Sequence, residues 1–87
     1  MHEGALMENL MRRIAEIAEA EQARRVIGIS IRLGALSHFS ALHFAEHFER
    51  ASNGTIAEGA RLNVVESDDT QDADAQEVVL KSVEVEL

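Results

Sequence analysis

Cysteine is absent from this 87-residue chain, which excludes disulfides, thiolate zinc sites and cysteine nucleophiles. Any metal would have to be held by histidine, carboxylate or backbone nitrogen. Basic residues are few: 8 Lys and Arg stand against 16 Asp and Glu, for a net charge of -8. That balance argues against nucleic-acid phosphates and anionic membranes, and favours a cation or a basic protein surface as partner. Long apolar runs are missing as well. No stretch approaches the roughly 20 residues that span a bilayer. The opening MHEGALMENL lacks the basic and long apolar regions of a signal peptide, so a cytoplasmic location is expected. Catalytic signatures are lacking too: there is no GxSxG, no phosphate-cradling glycine loop and no carboxylate pair at a defined spacing. A non-enzymatic role is expected.

Aromatics make up only 3% of the chain, so the core must be built from Leu, Ile, Val, Ala and Met around Phe39, Phe44 and Phe48. The length allows one small domain with one core, near the size where a partner or second copy contributes to stability. From Ala5 to about Glu21, Leu6, Leu10, Ile14 and Ile17 recur at helical spacing, and Met7, Met11 and Ala18 widen the stripe. VIGISIRL then alternates as a strand, with Ile27, Ile29, Ile31 and Leu33 on the core side and Val26, Gly28, Ser30 and Arg32 on the other. A second helix is expected from about Ser40, its cap, to Ser52, buried through Phe44 and Phe48. ARLNVVES gives a second strand and a third spans about Glu77 to Glu86.

In the third strand Val78 and Leu80 share one parity while Val79, Val83 and Val85 share the other. This predicts a bulge or an edge exposure near Lys81 and Ser82. The acidic segment SDDTQDADAQ between the last two strands holds no apolar residue larger than alanine, and reads as a solvated loop joining a hairpin. The element order α-β-α-β-β implies an α/β (α+β) fold, with two helices packed on one face of a small three-stranded mixed sheet.

Two groups of residues have metal chemistry. An N-terminal Met1-His2-Glu3 can chelate one ion through the terminal amine, the deprotonated His2 amide and the His2 imidazole, with the Glu3 amide or carboxylate as fourth donor. Nitrogen-rich square-planar sites suit Ni(II) or Cu(II) and suit Ca(II) or Mg(II) poorly. The helix that follows adds a favourable dipole contribution of roughly 0.3–1 kcal/mol for anionic nitrogens at its start. The bulky residue at position 2 is expected to block removal of the initiator methionine and so preserve that amine. The same three residues also read, more plainly, as a chain terminus with a histidine in it. On the second helix His43 and His47 lie four apart on one side, with Glu46 nearby and His38 just ahead of the helix. Such a pair can hold zinc or nickel, or can simply be a polar flank beside the phenylalanine stripe.

MHEGAL at the start, RRVIGISIRLGALSHFS, FERASNGTIAEGARLNVVES and the terminal VVLKSVEVEL together resemble the HypA/HybF family, the nickel metallochaperones of nickel-iron hydrogenase maturation. The similarity runs in order over nearly the whole chain. It implies Ni(II) bound at the N-terminus, with His2 as the essential ligand, the Met1 amine and the backbone nitrogens of His2 and Glu3 as further donors. It also implies delivery towards the hydrogenase large subunit together with a HypB-type GTPase, and service to urease in some members. Family members carry a zinc domain held by two CxxC pairs between the second and third strands. Here the acidic loop 67–76 stands in that place, so residues 1–87 are expected to form a single nickel-binding domain without structural zinc. The third strand, without a neighbouring domain to cover it, makes a homodimer through its edge a further expectation. A docking paralogue that contacts the GTPase or an enzyme subunit without delivering metal is the alternative.

Overall fold

The computed structural model describes residues 3–87, with the side chain of Glu3 left aside. Five elements follow in the order expected: helix α1 (Glu3–Ala20), strand β1 (Arg25–Leu33), helix α2 (Ala41–Ser52), strand β2 (Arg61–Glu66) and strand β3 (Val78–Glu86). α1 buries Met7, Leu10, Ile14 and Ala18, the three- and four-residue spacing of one helical face. It ends where Gln22, at φ 55°, takes the left-handed conformation. There the Gln22 amide donates to the Glu19 carbonyl and the Ala23 amide to the Ala18 carbonyl, the paired bonds of a Schellman cap. α2 starts at Ser40, whose hydroxyl accepts from the His43 amide at 3.1 Å.

The sheet order is β2-β1-β3, with β1 parallel to β2 and antiparallel to β3. Both helices cover one face, and the core joins Ile14, Val26, Ile31, Leu33, Phe44 and Phe48 in one buried cluster. The opposite face carries Gly28, Ser30 and Arg32 of β1, flanked by polar residues and by Val65 and Val79. There Gly28 sits between Arg61 and Glu84, whose side chains meet at 2.9 Å across it.

Two bulges set which residues reach the core. Val26 pairs with Val85 and Gly28 with Glu84, which leaves Ile27 unpaired; Ser30 pairs with Ser82 and Ile31 with Leu80, which leaves Lys81 unpaired. The bulge at Lys81 puts Val78, Leu80, Val83 and Val85 on the same side despite their mixed parity, as the sequence pattern suggested. The bulge at Ile27 overturns an expectation: Val26, not Ile27, shares the core face with Ile29, and is 1% exposed where Ile27 is half-buried. Strict alternation fails wherever one residue is left out of the ladder.

The hairpin expectation is also corrected. β1 lies between β2 and β3, so the acidic segment is not a hairpin turn but a crossover past the C-terminal end of β1. It is docked there. The Ser67 amide donates to the Leu33 carbonyl, the Gly34 amide to the Glu77 carbonyl and the Leu36 amide to the Ala75 carbonyl. Arg32 pairs with Asp72, and Ala75 is 5% exposed. Asp69 and Asp72 accept from the amides of Gln71 and Asp74, two residues on, so the loop's own carboxylates shape its turns.

Candidate metal centre

Met1 and His2, the main ligands expected from sequence, lie outside the described residues, and Glu3 is the first residue of α1. A helix leaves its first four amides without intrahelical acceptors. The Glu3 amide therefore needs no helical bond broken before it can serve as a donor.

From its first turn α1 borders a groove shared with α2. Gly4, Met7 and Glu8 line it from α1, and His47, Arg50 and Ala51 from α2. His47 thus shares a groove with the residue that follows Glu3, a juxtaposition that periodicity on either helix alone could not reveal.

The second candidate group is partly assembled. His43 and His47 stack with ring centroids 4.6 Å apart and planes 5° from parallel. Phe39 meets His43 edge-on at 6.0 Å and Phe44 at 6.1 Å, so the aromatic cluster runs from the buried stripe onto the exposed flank. Glu46 is exposed and His38 stands ahead of the helix with φ 67°. Among the described residues no three histidines or carboxylates converge as a ligand set. The structure therefore joins His43 to His47 and adds neither Glu46 nor His38 as a third ligand.

One supporting residue was missed from sequence. Glu66 at the end of β2 reaches the first turn of α2, where its carboxylate accepts from the Ala41 amide at 2.9 Å. Only the parallel pairing of β2 with β1 brings these residues together, and no local motif announces it.

The family model described as "Hydrogenase/urease nickel incorporation, metallochaperone, hypA" matches residues 1–73. The chain belongs to the HypA family. The hydrogenase maturation factor HypA of Archaeoglobus fulgidus is 38% identical over 64 residues, covering 74% of this chain and 58% of that protein. Its counterpart in Methylocella silvestris is 41% identical over 66 residues, covering 74% and 57%. The chain thus spans under three fifths of these HypA relatives. The solution structure of the Ni metallochaperone HypA from Helicobacter pylori superposes with a TM-score of 0.80 at 18% identity, covering 99% of this chain and 98% of that one. At that identity the likeness establishes a HypA fold, with two helices on a three-stranded mixed sheet.

Proposed function

We propose that this HypA-family chain captures Ni(II) at its N-terminus and passes it on for maturation of nickel-iron hydrogenase, without catalysing a reaction itself. The observation that carries this reading is the family match, which begins at residue 1 and so includes the Met1-His2-Glu3 start. The Met1 amine, the His2 amide and imidazole and the Glu3 amide form the donor set, and nitrogen donors of this kind select Ni(II) over Mg(II) and Ca(II). Nickel is the cargo. Few ligands on a chain terminus favour release by ligand exchange once a recipient docks.

The recipient in this reading is the hydrogenase large subunit, reached with a HypB-type GTPase in the cytoplasm. No described helix is long and apolar enough to cross a membrane. The docked crossover 67–77 supports the further reading that this segment replaces the family's zinc domain, since it closes the sheet with its own hydrogen bonds. A homodimer through the outer edge of β3 belongs to the same reading, and a sizing experiment across concentrations tests it.

The deciding experiment is a Ni(II) titration by calorimetry and absorption, on protein with a free Met1 amine and on His2→Ala. The expected result is a near 1:1 complex with a square-planar absorption band that His2→Ala loses. Equal nickel binding by both proteins at this band would refute the N-terminal site.

A further inference from the structure

We propose that His43 and His47 form a second anchor for a divalent ion of the nickel, copper and zinc class, held by two imidazoles and water on the flank of α2. Three observations support it. First, the imidazoles are stacked face to face, with centroids 4.6 Å apart, at the i, i+4 spacing from which two histidines of one helix can ligate one ion once a ring rotation turns their in-plane nitrogens toward it. Second, the helix that carries them cannot turn. Phe44 and Phe48 are 0% and 3% exposed and lock its inner face, while Ser40 and Glu66 cap its first turn. His43 is therefore held at the surface, with His47 half-buried beside it. Third, His47 lines the same groove as Gly4 and Glu8 of α1. His47 thus borders the first turn of α1, where Gly4 lies two residues beyond His2 in the chain.

The chemistry follows from the ligand type. Imidazole nitrogen suits nickel, copper and zinc, whereas oxygen-only surroundings suit magnesium and calcium. The net charge of -8 draws cations to the protein as a whole, while Arg12 and Arg50 stand with Glu8 in the groove beside His47. With two protein ligands and the rest water, the site is weaker and faster to exchange than a four-nitrogen chelate. It suits a station where an ion waits near the terminal site, a role that rests on the nickel-capture reading; ion binding by the pair does not.

The test uses the full chain with Ni(II) as probe. Calorimetry and imidazole nitrogen-proton spectra are recorded for the starting protein, His2→Ala, His43→Ala/His47→Ala, and the triple variant. His2→Ala is expected to keep one weaker nickel-binding event, with the His43 and His47 signals broadened by the ion, and the triple variant to lose it. His47→Gln alone, which keeps a polar side chain of similar reach, is expected to lose it too. If the triple variant binds nickel as His2→Ala does, or if the two imidazole signals stay sharp at saturating nickel, the anchor is wrong. Failure of the N-terminal reading looks different, because His2→Ala would then bind as much nickel as the starting protein.

Discussion

The carboxylate of Glu66 accepts a hydrogen bond from the backbone amide of Ala41 at 2.9 Å, tying the last residue of β2 to the first turn of α2. Ser40 serves the same turn through a second bond, accepting from the His43 amide at 3.1 Å. Two of the orphan amides at the start of α2 are thus satisfied by side chains, one local and one from a strand. The arrangement also fixes the element on which the histidine pair sits.

The two caps are expected to differ in strength. Ser40→Ala removes the local N-cap and should cost about 1 kcal/mol. Glu66→Ala removes an exposed charged acceptor near the helix dipole, worth about 0.3–1 kcal/mol at low salt. Urea denaturation at low and high ionic strength checks both. The Glu66→Ala loss should shrink in high salt while the Ser40→Ala loss persists, and equal salt dependence of the two would contradict this assignment.

Gly34 tests the docked crossover. A Cβ at this position would overlap the Ala75 carbonyl and crowd that of Asp74, which are backbone atoms that no rotamer change can move aside. Gly34→Ala is expected to push the 72–77 segment off the end of β1 and to cost roughly 1–3 kcal/mol, as overpacking does. Amide exchange reads the effect directly. The amides of Gly34 and Leu36, which donate to Glu77 and Ala75, should lose protection while those in α1 keep theirs. Unchanged protection at both would show that the crossover is not seated by this contact.

Much of the fold was legible because its periodicities are strong. The α1 stripe through Leu10 and Ile14, the Ser40 cap and the parity break around Lys81 are local patterns with local causes, although the stripe's centre lies on Met7 and Ala18 while Leu6 and Ile17 are half-buried at its edge. What was not legible depended on pairing. Ile27 looks like a core residue by alternation, and only the register against Val85 and Glu84 shows that it is the unpaired residue of a bulge. The acidic run reads as solvated because its side chains are polar, yet its backbone is bonded to Leu33 and Leu36. For the candidate site, sequence spacing placed His43 beside His47, but the groove that His47 shares with Gly4 required the packing of α1 on α2.

The end of α1 carries the last prediction. Gln22 occupies the left-handed C-cap position, at φ 55°, that glycine usually takes. A side chain there costs about 1–2 kcal/mol through the clash of Cβ with the backbone. Glycine removes that cost but adds roughly 0.5–1 kcal/mol of unfolded-chain entropy. The difference favours glycine, so Gln22→Gly is expected to stabilise the protein by roughly 0–1.5 kcal/mol. Gln22→Val should do the opposite, since a β-branched residue fits the left-handed region worst. Thermal and urea unfolding of the two variants measure the sign. A destabilised Gln22→Gly would mean that the Gln22 side chain makes a contribution larger than the backbone relief, and its apolar stem along the Ala23 and Ile56 groove would be the place to look.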